Sequence, residues 1–298
     1  MVTANQRTSP GGTQRREPLV LALLVESIFL LVPFLTYAGG SITGKVTFSG
    51  KVPPPKEFTL SKFPNTDFCK QNPNTSQDGG TRLLKELVVT KEGGLKNAIV
   101  SVQDIKDKNW LKSEKLAKLC GSSPHIMAQA CAGVPRAEVV VELCEFAPHV
   151  GVVVNGGKFH VENHDADPAD PKSAKGVLHS PHGFEVLGTR SSTLFNIPLA
   201  TKGDSLNKEI RMTGVGEGSI MRLQCDHHEF MQAWFLPVAN PYYARVNDDG
   251  TFEINNVPPG RQKVFVWHPV AGKVEATVDV PDGGTVEVHF DITGQAGK

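Results

Sequence analysis

The sequence of 298 residues predicts an all-β fold made of β-sandwiches. Short runs that alternate apolar and polar residues recur at intervals of roughly ten residues along most of the chain. Glycine and proline are abundant, at 29 and 21 residues, and they provide the turns that such strands need. Stretches with helical periodicity are rare. These three observations together indicate short strands joined by turns.

Residues 1–38 have the organisation of a secretory signal. Arg7, Arg15 and Arg16 precede an apolar run that ends in small residues, and the adjacent arginine pair is compatible with twin-arginine export. The run is close to the ~20 residues that span a bilayer, so a retained N-terminal anchor is the alternative. Glu26 within the run is costly at bilayer depth and favours cleavage. We therefore expect a periplasmic or otherwise extracytoplasmic protein that meets a membrane only if this segment is retained.

The bulk properties of the chain exclude one class of partner. Its formal net charge is zero and its pI is about 7.1, so nothing indicates binding to nucleic acid. The length that remains after the signal is enough for two modest domains with real cores.

Residues 40–136 are predicted to form an N-terminal β region. Residues 41–53 alternate and end at Gly and Pro, and residues 84–105 give two strands about the Gly93-Gly94 turn. The pattern changes at residues 108–133, where leucines occur at helical spacing, and this stretch predicts a helical insertion.

Strand patterns return in residues 137–239 and continue through residues 240–298. Within the first of these segments, Asn155-Gly156-Gly157 predicts a hairpin-type turn. The acidic residues Asp165, Asp167 and Asp170 that follow are interpreted as a solvated loop in preference to a calcium site.

The five cysteines indicate one thiol with a separate purpose. Oxidation outside the cytoplasm pairs cysteines, so an odd number leaves one over. Cys120 and Cys131 are close in sequence and can pair, and Cys69 and Cys144 can form a second bridge. Cys225 then remains.

Cys225, His228 and Met231 form a C-x2-H-x2-M motif between two predicted strands. A thiolate, an imidazole and a thioether on one short loop are suited to copper, and a second imidazole would complete a His2Cys site of the electron-transfer type. His179 and His182, in the segment GVLHSPHGFEV, are the candidates for that second histidine, and His164 is a more distant one.

Residues 137–239 resemble the cupredoxins, which are blue copper proteins, and in particular the amicyanin subgroup with its short ligand loop. HSPHGF resembles the first-ligand segment of that group, and CDHHEFM resembles the C-x-x-H-x-x-M loop. The resemblance implies a Greek-key β-sandwich and one copper ion, Cu(I)/Cu(II), bound by His179, Cys225, His228 and Met231, with His182 as the alternative to His179. Ser180 replaces the family's Asn, which ties the two ligand loops together.

The segment NDDGTFEINNVPPGRQKVFVWHP resembles the carboxypeptidase-regulatory-like domains, which are small transthyretin-like sandwiches. The strand in residues 41–50 resembles the first strand of the same module, so it is expected to complete the C-terminal domain of residues 240–298. The combination resembles exported plastocyanin-like and methylamine-utilisation-type proteins of bacteria.

These resemblances imply an electron carrier, not an enzyme, that exchanges single electrons with a redox protein donor and acceptor. The exposed ring edge of His228 is expected to be the electron port, with Phe230 and Trp234 beside it for docking. The alternatives are copper storage or delivery, and a non-metal surface scaffold with a degenerate site. An oxidase or reductase is disfavoured because the sequence has no H-x-H pair and has Gln224 immediately before Cys225.

Overall fold

The computed structural model describes residues 39–105 and 137–294. The signal expected at residues 1–38 and the helical insertion expected at residues 108–133, with its proposed Cys120–Cys131 bridge, lie outside the described residues. Among the described residues, no helix has both the length and the apolar character needed to cross a bilayer.

The prediction of an all-β protein is confirmed. The first nine strands are β1 (Gly40–Phe48), β2 (Lys56–Thr59), β3 (Thr81–Leu84), β4 (Ile99–Val102), β5 (Ala137–Val141), β6 (Phe146–Ala147), β7 (Val150–Val154), β8 (Lys158–Asn163) and β9 (Pro181–Leu187). The others are β10 (Arg190–Asn196), β11 (Ser205–Glu209), β12 (Ile220–Cys225), β13 (Gln232–Val238), β14 (Tyr243–Arg245), β15 (Thr251–Val257), β16 (Gly260–His268), β17 (Gly272–Val280) and β18 (Thr285–Ile292). One α-helical turn, α1 (Thr66–Cys69), and two 3-10 turns, Leu60–Lys62 and Val215–Glu217, complete the described elements.

Two sheets enclose the core that carries the candidate site. Their strand orders are β10-β9-β12-β13-β7 and β11-β8-β5-β6. Phe159 of β8 meets Phe235 of β13 edge to face, with ring centroids 4.9 Å apart, so the two sheets share one hydrophobic core. The arrangement is a β-sandwich in which inward side chains of both sheets interdigitate.

The turn at Asn155-Gly156-Gly157 does not form a hairpin, and that prediction was wrong. β7 and β8 are consecutive in the chain but belong to different sheets, where β7 pairs in parallel with β13 and β8 pairs in parallel with β5. Val153 and Val154 at the end of β7 are both buried, and the chain crosses from one sheet to the other at the turn that follows them.

A second pair of sheets encloses a separate core. Their strand orders are β15-β1-β18 and β14-β4-β16-β17. β1 pairs antiparallel with β15 and in parallel with β18, so strands from the start and the end of the described chain share one sheet. Gly44 of β1 allows this approach, because a Cβ atom there would lie 1.7 Å from the carbonyl oxygen of Val288.

A small apolar cluster joins the two sandwiches. Ile99 of β4 and Trp267 of β16 pack with Val150 and Leu236 of the other sandwich. Strands of both sandwiches therefore contribute side chains to this third cluster.

Residues 56–84 form a separate layer, which we call the cap. The cap contains the two-stranded sheet β2-β3 and the helical turns between those strands. Its buried side chains Leu60, Phe68 and Cys69 belong to the core that also holds Cys225 and Met231. The chain thus places a segment from its N-terminal part against the candidate site.

Candidate metal centre

The loop between β12 and β13 is held tightly by its own backbone. The N–H of Cys225 donates to the carbonyl of Met231 at 3.1 Å, and the N–H of Met231 donates to the carbonyl of His228 at 2.8 Å. Cys225, His228 and Met231 are all buried. The two strands and these hydrogen bonds together fix the direction in which the loop presents its side chains.

Two histidine nitrogens face the sulfur of Cys225. The Sγ atom lies 3.6 Å from Nδ1 of His228 and 3.9 Å from Nδ1 of His179. His179 precedes β9, and its backbone exchanges two hydrogen bonds with Leu199, at 3.1 and 2.7 Å. All three potential ligands have no solvent exposure. The structure thus brings a histidine from 46 residues upstream onto the C-x2-H loop.

The outer nitrogen of each imidazole has its own acceptor. Nε2 of His179 lies 2.9 Å from Oδ2 of Asp165, and Nε2 of His228 lies 3.2 Å from the carbonyl oxygen of Pro64. A carboxylate and a carbonyl only accept, so each Nε2 carries the hydrogen and donates it. Each Nδ1 is left with a free lone pair that points towards Cys225, which is the tautomer a metal ligand requires.

Asp165 connects this centre to the disulfide. Its carboxylate accepts the N–H of Leu143 at 2.6 Å and the N–H of Cys144 at 2.9 Å, in addition to the ring of His179. Cys144 forms a disulfide with Cys69 of the cap. The two disulfide sulfurs and a ring nitrogen of His228 lie within 4.8 Å of one another. The bridge between Cys69 and Cys144 is therefore part of the wall of the site.

Ser180 links the two ligand segments. Its N–H lies 3.4 Å from Sγ of Cys225, and its carbonyl accepts the N–H of Asp226 at 3.1 Å. Its hydroxyl donates to Asn196 at 3.0 Å, and Asn196 donates to the carboxylate of Asp226 at 2.6 Å. Ser180, Asn196 and Asp226 together connect the segment that carries His179 with the loop that carries Cys225.

Burial favours the uncharged forms of the Cys225 thiol and the His228 imidazole. Desolvation raises the pKa of the Cys225 thiol. Desolvation, followed by the neighbouring His179, lowers the pKa of His228 to about 3. The imidazole is therefore neutral at physiological pH, while the thiol would have to lose its proton on binding a cation.

The donor set fits copper. The ligand atoms of Cys225, His179 and His228 lie within 4.8 Å of one another. One thiolate, two imidazoles and a weakly bound thioether make up the usual ligand set of a His2Cys copper centre. Met231 is buried on the same loop, three residues after His228.

The alternative histidines lie elsewhere. Both ring nitrogens of His182 are engaged, with Asp226 at 3.1 Å and Thr193 at 3.0 Å, and its ring stacks on Phe184. His164 is exposed and lies 3.1 Å from Glu162. Neither of the two belongs to a group of potential ligands, whereas His179 does.

The expected electron port at His228 is not exposed, and that prediction was wrong. His228 is fully buried and Phe230 is 2% exposed, while Trp234 is half-buried. The cap covers His228 and Phe230: Phe63 meets Phe230 edge to face at 5.2 Å, and the carbonyl of Pro64 accepts a hydrogen bond from the ring of His228. The C-x2-H-x2-M motif carries no information about a segment 160 residues upstream, so the sequence could not predict this cover.

Two contributors to the site were missed. Asp165 was interpreted as part of a solvated loop, yet it is 2% exposed and bonds His179. Its position fourteen residues before His179, and two residues after the end of β8, gave only a weak signal. Pro64 contributes through its backbone carbonyl, which leaves no signature in the sequence.

Comparisons with solved structures show similarity over about a third of the chain. No family model matches the chain, and no curated protein matches it. A purple cupredoxin from Nitrosopumilus maritimus matches 34% of this chain and 99% of its own, at 17% identity and a TM-score of 0.25. A mutant of amicyanin in its reduced state matches 39% of this chain and 92% of its own, at 17% identity and a TM-score of 0.26.

A third similar structure belongs to an enzyme. The copper-containing nitrite reductase from Thermus scotoductus SA-01 matches 35% of this chain and 23% of its own, at 14% identity and a TM-score of 0.26. These values describe a likeness of about a third of the chain, so the functional argument rests on the side chains of the site.

Proposed function

We propose that the protein binds one copper ion through His179, Cys225, His228 and Met231 and carries single electrons between redox partners outside the cytoplasm. The observation that carries the proposal is the position of Cys225 Sγ, 3.6 and 3.9 Å from two Nδ1 atoms whose rings are already oriented by other acceptors. A copper ion held there would accept and release one electron by cycling between Cu(I) and Cu(II).

The residues around the ligands support rapid electron exchange. Asp165 and Pro64 fix the two rings, and Ser180 donates its N–H towards the sulfur. Ligands that are held by other residues move little when the charge of the bound ion changes, and outer partners of this kind are what tune a metal site. The burial of every ligand also keeps water away from the centre.

Storage or delivery of copper is the alternative use of the same ligands. It would call for a labile site that a recipient can reach, and the ligands are closed off by the cap. A non-metal scaffold is a further alternative, and the convergence of His179 and His228 on Cys225 argues against it. Catalysis of the reductase kind needs a second metal site. Among the described residues, each cluster of three or more potential metal ligands includes His179 or His228, so all of these clusters lie at this one centre.

Extracytoplasmic location is part of the proposal. It is supported by the signal-like composition of residues 1–38 and by the disulfide between Cys69 and Cys144, because such bridges persist mainly in oxidising compartments. Export can be measured by fractionating cells that express the whole chain.

The test is to load the purified protein with Cu(II) and record its visible spectrum. We expect intense absorption from a copper–thiolate bond in the wild type and none in Cys225→Ser, which keeps the size of the side chain. A colourless wild type, or a Cys225→Ser variant that keeps the colour, would contradict the proposal.

A further inference from the structure

The cap occupies the place where a partner would otherwise reach the imidazole of His228. Pro64 lies in the cap, its carbonyl accepts the Nε2–H of His228, and the Pro64 residue itself is exposed to solvent. His228 has no exposure at all. A single hydrogen bond therefore links the ring of His228 to Pro64, a residue at the protein surface.

The cap is fastened at several points around this contact. Phe58 and Phe63 pack on Phe230, with centroids 6.1 and 5.2 Å away. The guanidinium of Arg82 lies 5.4 Å from the centre of the same ring, and it forms an ion pair with Glu145 at 2.8 Å. These contacts hold the cap on the side of the site that carries His228.

Polar contacts also hold the cap in place. Asn72 donates to the carbonyl of Leu143 at 3.1 Å and to the carboxylate of Glu145 at 2.7 Å. Asn65 donates to Ser173 at 3.2 Å. Both cysteines of the bridge between Cys69 and Cys144 are fully buried, so dissolved thiols have no direct access to it. The bridge thus joins the cap covalently to the core around the site.

We propose that the cap seals His228 from solvent and that electrons enter and leave at Pro64 instead of at the edge of the imidazole. The proposal rests on the proposed function. The transfer would move one electron and break no bond: a copper ion held by these residues would supply the Cu(I)/Cu(II) couple, and a one-electron partner would be oxidised or reduced in turn. The redox partner would bring its own redox group to the surface around Pro64. Lys62, two residues before Pro64 in the chain, is exposed there, while the exposed Asp67 and Lys70 of the same segment pair with each other.

The seal can be tested on metal-free protein. Diethyl pyrocarbonate acylates accessible imidazoles, and His289, with 63% of its side chain exposed, is the internal reference. We expect His228 to react at least about tenfold more slowly than His289, because reaction requires local opening of the cap. The paired change Cys69→Ser with Cys144→Ser should accelerate modification of His228 and leave His289 unchanged.

Equal reaction of His228 and His289 in the wild type would overturn the seal, whatever the outcome with copper. If the double variant does not fold, Phe63→Ala replaces it, since that change removes a cap contact and leaves the bridge intact. A rate at His228 that neither variant raises would show that something other than the cap protects the ring.

The entry point can be tested with ferricyanide, an anion that takes one electron from the reduced, copper-loaded protein. Lys62→Glu places a negative charge beside Pro64, whereas Lys91→Glu makes the same change at an exposed turn of the other sandwich. We expect Lys62→Glu to slow oxidation by about two- to fivefold at low ionic strength, with the effect lost in high salt, and Lys91→Glu to have no effect. Equal responses of the two variants would place the entry elsewhere. Absence of copper colour in the wild type would instead count against the proposed function.

Discussion

The Nε2 atom of His179 lies 2.9 Å from Oδ2 of Asp165, and both residues are buried. The same carboxylate accepts two backbone N–H groups next to the disulfide. One aspartate thus fixes a potential ligand and the wall against which the cap is anchored.

Asp165→Asn should weaken copper binding by about 10- to 100-fold, the usual effect of removing an outer partner of a metal-bound histidine. The amide keeps the size of the side chain but loses the charge and one acceptor. Competition with a chromophoric Cu(I) chelator measures the affinity. Asp170→Asn, in the same loop but bonded only to Ser173 and the backbone, is the matched control and should bind as the wild type does.

His179→Ala should abolish the copper–thiolate absorption, whereas His182→Ala should retain it. His179 faces the sulfur of Cys225, and both nitrogens of His182 are engaged with Asp226 and Thr193. Spectra of both variants after loading with Cu(II) distinguish the two residues. Loss of colour in His182→Ala alone would reassign the ligand.

Removal of the bridge by Cys69→Ser with Cys144→Ser should lower the free energy of unfolding by about 2–4 kcal/mol. The bridge closes a loop between residues 75 positions apart, and such links restrict the unfolded chain. Urea unfolding of the metal-free protein measures the change. An unchanged midpoint would show that the contacts of the cap suffice without the bridge.

Because of the buried His268, the free energy of unfolding of the metal-free protein should fall as the pH is lowered. Burial lowers the pKa of His268 to about 3, and its Nδ1 accepts the N–H groups of Val270 and Ala271. Below an unfolded-state pKa of roughly 6.5 the unfolded chain binds a proton that the folded chain does not, so stability declines from there towards pH 3.

His268→Asn keeps an acceptor in place of Nδ1 and removes the titration. We expect its melting temperature to fall less between pH 7 and pH 5 than that of the wild type. Both proteins are measured without copper, so that protonation of the ligands contributes equally to the two curves. Parallel curves for the two proteins would contradict the role given to His268.

Local patterns predicted the strands and the loop that carries Cys225, His228 and Met231, because alternation and short motif spacing are properties of neighbouring residues. They also suggested Cys69 and Cys144 as partners, which the structure joins. The cover over His228 could not be predicted, since it depends on a backbone carbonyl at Pro64 brought there by long-range packing. The crossing after β7 was missed for a related reason: a turn of Asn and Gly specifies a reversal but not which sheet receives the next strand.

The parallel pairing of β1 with β18 sets the order in which the protein can be completed. Residues 41–48 gain their second neighbouring strand only after residues 285–292 have been synthesised, so the second sandwich closes no earlier than that. Contacts between such distant residues slow folding. Until β18 pairs with β1, one edge of β1 has unpaired backbone groups that another chain could bind. Deletion of β18 would leave that edge permanently unpaired.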